Sequence, residues 1–270
     1  MLTTRRFLAI AALTIAAPFV ALAQHVPGDG APELPDPGFE LSGHTRLFYD
    51  LGDTDAMFEY AARYDTDRSA LAHGLTAGAY HRIHRNVKIG GFYRLRIGER
   101  HDEDWVLADG EWIWRDTSGR PEHTFLADVT PRSLAEFLPG EDWVGAVKAR
   151  YGLTLFREDD ELVAMSTLLV RPGLTWFWMR DREPVMNASI QYGLYLPLGF
   201  GDTWWYRHGP YANLVYHLTP DLMLNASAGI AWIHWTESAD FDEEWPNNRY
   251  AEPVYRPWTI DVGVIYRLHG

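Results

Sequence analysis

From Phe39 to Leu268 the chain alternates apolar and polar residues with a period of two, the repeat of a β-strand whose two faces meet different surroundings. In "LMLNASAGIAWIHW", Leu222 to Trp235, one face carries Leu222, Leu224, Ala226, Ala228, Ile230 and Trp232, and the other Asn225, Ser227 and Gly229. "VKIGGFYRLRI" sets Val87, Ile89, Tyr93, Leu95 and Ile97 against Lys88, Gly90, Arg94 and Arg96. "VKARYGLTLF" sets Val147, Ala149, Tyr151, Leu153 and Leu155 against Lys148, Arg150, Gly152 and Thr154. "VMNASIQYGLYLP" and "WTIDVGVIYRL" divide in the same way, the latter with Asp261 and Arg267 on its polar face. Charges fall on one face only, and no helical stripe of similar length appears, so the chain is predicted to be all-β.

Twelve strands are predicted, over residues 40–51, 56–65, 70–83, 87–99, 105–115, 122–130, 143–157, 161–179, 185–197, 204–218, 222–235 and 256–268. Ten is the alternative, with Trp105 to Arg115 taken as loop and the ends of the first pair merged. Either number is even, as suits an up-and-down antiparallel barrel. Short turns at His84 to Asn86, Arg180 to Pro184 and Thr219 to Asp221 contrast with a long acidic loop from Thr236 to Pro253. Pro172 removes a ladder donor within Arg171-Pro172-Gly173, so a bulge is expected there.

Alternation alone also fits a soluble sandwich or a lipocalin-like barrel, in which the apolar face turns inward. The aromatic positions separate the readings. Trp176 and Trp178 close one strand, Trp204 and Trp205 open the next descending one, Trp232 and Trp235 close another, and Trp258 and Tyr266 bracket the last. Between them the same face carries Leu, Ile, Val and Ala. Two aromatic girdles around an apolar band suit a lipid-facing surface, because an indole ring is apolar while its N–H still needs a partner. The expected fold is a transmembrane up-and-down antiparallel β-barrel over residues 39–270, with lipid outside and a polar lumen inside.

The two ends of the composition agree with export. Residues 1–23 read as a cleaved signal peptide: Arg5 and Arg6, the apolar run "FLAIAALTIAAPFVALA", then the small residues Ala21 and Ala23 before Gln24. Residues 24–38 read as a flexible leader rich in Pro and Gly. Removing Arg5 and Arg6 takes Lys+Arg from 24 to 22 against 37 Asp+Glu, a mature charge near −15 that argues against nucleic acid as a partner. The chain has no cysteine, which excludes disulfides and thiolate metal sites. After the signal, no segment approaches 18 consecutive apolar residues, so lipid contact would require a closed barrel.

On these strands, girdles and export signal, the chain resembles the Gram-negative outer-membrane β-barrel proteins as a class, over about Phe39 to Leu268. The resemblance implies the cell outer membrane as the location, with the lipid bilayer, lipopolysaccharide and the outer-membrane assembly machinery as partners. Members of that class usually end on an aromatic residue, whereas this chain ends "IYRLHG".

The lumenal face is predicted to hold Lys88, Arg94, Arg96, Lys148, Arg150, Arg171 and Arg267, with Glu59, Asp128 and Asp261 as counter-ions. Rings of Arg and Lys bias a channel towards anions, so the expected function is a small pore that passes or binds small anionic solutes. The alternatives are a non-conducting structural or surface-interaction barrel, whose charges form a salt-bridged plug, and an outer-membrane hydrolase with a rim site. For the hydrolase, "RHDED" from Arg100 to Asp104 with His123 and Asp128, and His208 near Asp202, are the nearest constellations; no Gly-x-Ser-x-Gly is present. No catalytic residue is assigned, and no cofactor or metal is expected. His81 and His84 would fall on opposite strand faces. The acidic runs Arg157 to Glu161 and Ala239 to Glu244 could hold divalent cations against lipopolysaccharide, without the spacing of a calcium loop.

Overall fold

The computed structural model describes residues 39–66, 70–98, 101–108, 111–116, 121–136, 138, 142–158, 161–198, 207–234, 254–255 and 258–270. The signal, the leader, Trp204, Trp205, Trp235 and the loop 236–253 lie outside these residues. The strands are β1 (Phe39–Asp50), β2 (Thr54–Asp65), β3 (Ala70–His84), β4 (Val87–Gly98), β5 (His101–Ala108), β6 (Glu111–Asp116), β7 (Glu122–Leu134) and β8 (Trp143–Glu158). They continue with β9 (Glu161–Arg180), β10 (Glu183–Leu198), β11 (Arg207–His217), β12 (Leu222–Ile230), β13 (Trp232–His234), β14 (Val254–Tyr255) and β15 (Trp258–His269).

Eleven of them, in the order β1-β2-β3-β4-β7-β8-β9-β10-β11-β12-β15, hydrogen-bond side by side and return to β1, closing an all-β barrel. Eleven of the twelve predicted segments are therefore staves, and the fifth is not. Residues around 105–115 form β5 and β6, which pair only with each other as a separate two-stranded sheet. Ala108 faces Glu111, leaving Asp109 and Gly110 between the partners. Asp-Gly between two such runs is a sequence favoured in two-residue hairpins, in keeping with the pairing of β5 with β6 alone.

The odd number also corrects the expectation of an entirely antiparallel barrel. β1 and β15 run parallel, from Phe39↔Trp258 to Asp50↔His269, while every other neighbouring pair of staves is antiparallel. Strands that reverse at each step must put the first and the eleventh in the same direction. Phe39 consequently enters at the end that carries the β5–β6 hairpin, and His269 leaves at the end with the tight turns 51–53, 85–86, 181–182 and 218–221.

The expected bulge at Pro172 is absent. Pairing of β9 with β10 lapses beside Pro172 but resumes in the same register, Gln191↔Gly173 on one side and Leu194↔Val170 on the other, and β8 pairs straight past it. The ring costs one ladder bond and no shift. The irregularities fall at Arg82/His84 and Pro184/Met186, next to tight turns.

The faces are inverted relative to a water-soluble barrel. Leu41, Phe58, Leu75, Ile89, Phe125, Leu214, Val262 and the strongly exposed Ile190 point outward, whereas the buried set includes Glu122, Thr124, Asp128, Ser189, Asn225 and Ser227. Apolar packing inside is local. Phe92 lies across the wall beside Tyr80, ring centroids 4.7 Å apart, and a Cβ on Gly90 would come within 2.6 Å of its ring. Glycine at this position gives the aromatic ring its seat.

Candidate functional site: the charged barrel interior

Contacts that skip a strand mark the interior, because two side chains can meet across an intervening stave only on the concave side. Lys88 Nζ on β4 reaches Asp55 Oδ2 on β2 at 2.7 Å, and Arg267 on β15 reaches the same carboxylate at 3.7 Å. Tyr80 on β3 donates its hydroxyl to Asp128 on β7 at 3.4 Å. Alternation then puts every even position of β4, from Lys88 to Arg96, on the inner side.

Asp128 is the most heavily engaged carboxylate. It accepts from Arg150 Nε at 2.5 Å and Nη2 at 2.8 Å, and Lys148 Nζ lies 2.9 Å away. Nearer the hairpin end, Arg96 Nη1 lies 3.4 Å and Arg94 Nη2 3.8 Å from Glu122, with Thr124 accepting from Arg94 and packed beside Thr154. Arg46 Nε donates to Glu59 Oε2 at 2.6 Å, and Arg63 lies 3.6 Å from Glu40. At the parallel seam Ser42 Oγ donates to Asp261 Oδ1 at 2.6 Å, and His44 Nδ1 lies 2.9 Å from Oδ2. Arg171 has a different partner: it donates to the Tyr195 hydroxyl at 3.0 Å and lies over the Tyr211 ring.

The structure thus brings Lys148, Arg150 and Asp128 together, pairs Arg94 with Arg96 on one glutamate, joins Lys88 to Arg267 through Asp55, and sets Asp261 apart at the seam. Glu122, Asp55, Glu40, Arg46, Arg63 and the tyrosines were missed from sequence. The same alternation would have found the first-strand members, since "FELSGHTRLFYD" places Glu40, Ser42, His44 and Arg46 on one face. Counting these contacts, Arg46, Arg63, Lys88, Arg94, Arg96, Lys148, Arg150, Arg171 and Arg267 face Glu40, Asp55, Glu59, Glu122, Asp128 and Asp261. Cations exceed carboxylates among these described residues.

On the outer face, histidines meet tyrosine hydroxyls of the adjacent strand. Tyr60 Oη lies 2.7 Å from His73 Nδ1 and Tyr93 Oη 2.7 Å from His123, both pairs exposed, while Tyr192 Oη lies 2.7 Å from His208 in a buried pair. Polar groups on an apolar surface are thereby satisfied within the sheet, as they must be away from water. His123 accordingly points away from Asp128, which separates the suggested rim pair; Asp202 lies outside the described residues, as do the side chains of 101–104. Among the described girdle positions, Trp178, Trp258 and Tyr266 are exposed on the outer face, Trp176 faces Trp143, and Trp232 stacks on His208.

No protein-family model, curated protein or solved structure matches the chain.

Proposed function

We propose that the protein is an exported outer-membrane β-barrel whose hydrated, cation-lined lumen passes or binds small anionic solutes. One observation carries the reading: in each interior ion pair of a lysine or arginine among the described residues, the carboxylate is the more buried partner and the cation the wetter one. The side chains of Asp128 and Glu122 are 1% and 5% exposed, whereas Lys148, Arg150, Arg94 and Arg96 keep 24%, 28%, 31% and 29%. Carboxylates in the wall therefore hold basic heads towards the barrel axis, where an anion would meet positive charge first. Lipid placement is supported by the exposed apolar outer face and its hydrogen-bonded Tyr–His pairs. Lipopolysaccharide and the assembly machinery are the partners this placement implies.

Reconstitution in a planar bilayer tests it. Discrete current steps with a reversal potential on the anion side of a KCl gradient are expected. A folded, heat-modifiable barrel that passes no current would overturn the pore. It would favour the second reading, a closed structural barrel, which the buried Phe92, Leu169, Met223 and Ile265 inside the wall support.

A further inference from the structure

We propose that Arg171 anchors a binding site for a small oxyanion on the lumen wall formed by β9, β10 and β11. This rests on the reading of the interior as a hydrated, cation-lined lumen.

Arg171 is set apart from the other interior cations by its partners. No carboxylate among the described residues lies within ion-pair distance of it; a phenol hydroxyl and an aromatic face hold it instead, at 3.0 Å and 5.4 Å. Its Nε is buried without a hydrogen-bond partner. Lys148 is its register neighbour on β8, and Asp128, which faces Arg150 across the β7–β8 ladder, is already engaged by Lys148 and Arg150. Three cations therefore share one negative charge, and the surplus lies on the Arg171 side.

Register places the donors. Asp128, Arg150, Leu169, Tyr195 and Arg207 follow one another across four strand boundaries, so Tyr195 stands between Arg150 and Arg207, and the Arg207 guanidinium lies 5.6 Å over its ring. In the adjacent row Gly193 has no side chain, and a Cβ there would lie 3.8 Å from Arg171 Nε. The wall beside the guanidinium is left low.

A planar guanidinium with a phenol hydroxyl alongside presents several N–H and O–H donors in fixed directions. That suits an anion with two or more acceptor oxygens, such as a phosphate or a carboxylate, better than a spherical chloride. An aromatic-held guanidinium without a carboxylate also escapes the competition an internal salt bridge would impose on an incoming anion.

Inorganic phosphate is the probe. The refolded barrel in planar bilayers is titrated with phosphate at constant chloride, reading block of the chloride current, and the same protein is titrated by calorimetry. Phosphate should block and bind the native barrel. Arg171→Gln should raise the half-blocking concentration about tenfold or more, the effect of one lost charge-assisted hydrogen bond. Arg171→Lys, which keeps the charge and loses the fork, should fall between, and it replaces the glutamine variant if that one does not fold. Tyr195→Phe should give a smaller rise. A current that phosphate neither blocks nor binds against, or blocks equally in native and Arg171→Gln barrels, overturns this site and leaves the pore standing. Phosphate binding by calorimetry that is lost in Arg171→Gln, in a barrel that passes no current, supports the site and overturns the pore.

Discussion

Replacing Asp128 by Asn preserves the side-chain shape and removes the negative charge on which Arg150, Lys148 and Tyr80 converge. Removing one partner of a buried ion pair costs about 3–5 kcal/mol, because the remaining charge is left desolvated. Here Lys148 and Arg150 keep 24% and 28% of their side-chain surface, so water takes up part of the loss, and Asn retains one acceptor oxygen. The expected destabilisation is therefore near the lower limit, about 3 kcal/mol. Urea unfolding of the barrel in lipid vesicles, followed by tryptophan fluorescence, measures it. A second consequence has the opposite sense: with Lys148 and Arg150 uncompensated, the reversal potential in a KCl gradient should move further towards that of chloride. An unchanged unfolding midpoint together with an unchanged reversal potential would refute the assignment of Asp128 as the buried counter-ion of the lumen.

Two further perturbations probe the outside. Ile190 stands mid-strand on the outer face, 72% exposed, and Ile190→Arg should cost about 2–4 kcal/mol if that face meets hydrocarbon. A water-facing position would tolerate the change, so an unaltered unfolding midpoint counts against lipid contact. Replacing residues 101–116 by a short Gly-Ser linker should leave the heat-modifiable barrel intact, since β5 and β6 pair only with each other; loss of the folded form would show that the hairpin supports the wall.

Much of the barrel was legible because its two faces meet unlike surroundings, and a period of two is visible without any partner. The Lys88–Arg96 and Lys148–Arg150 stripes fall on the inner side as their alternation required, and Ile89, Tyr93 and Val262 fall on the outer. Pairing was less legible. A strand in the barrel and a strand in a side hairpin share the same alternation, and only Asp109-Gly110 distinguishes residues 101–116; taken as a turn, it removes one stave and makes the total odd. The counter-ions were harder still. Glu122 and Asp55 belong to Arg94, Arg96 and Lys88 only once register sets their heights, and register follows from turn lengths that alternation does not encode. Pro172 misled for a related reason: a missing donor in a long strand can be tolerated in place, without a bulge.

Barrel closure concentrates risk at the seam, where β1, the first stave, pairs with β15, the last. Ser42 and Asp261, 219 residues apart like every register pair of β1 with β15, meet there, so the seam closes a loop that spans the other staves. Recognition at the seam depends on fit as well as charge. His44 faces Gly263 across the parallel ladder, its ring 5% exposed and held through Nδ1 by Asp261. A Cβ on Gly263 would come within 2.4 Å of that ring, which cannot swing aside without giving up the aspartate. Gly263→Ala should accordingly destabilise the barrel by about 1–3 kcal/mol, the usual cost of overpacking. His44→Ala should also destabilise it, through the lost bond. Combined, the two should cost less than their sum, because removing the ring clears the space that the new methyl needs; a coupling of about 1 kcal/mol or more is expected for residues in direct contact. Unfolding midpoints of the four proteins give the cycle. Strict additivity would mean that the ring and the glycine are not matched, and that closure of the seam rests on the backbone ladder alone.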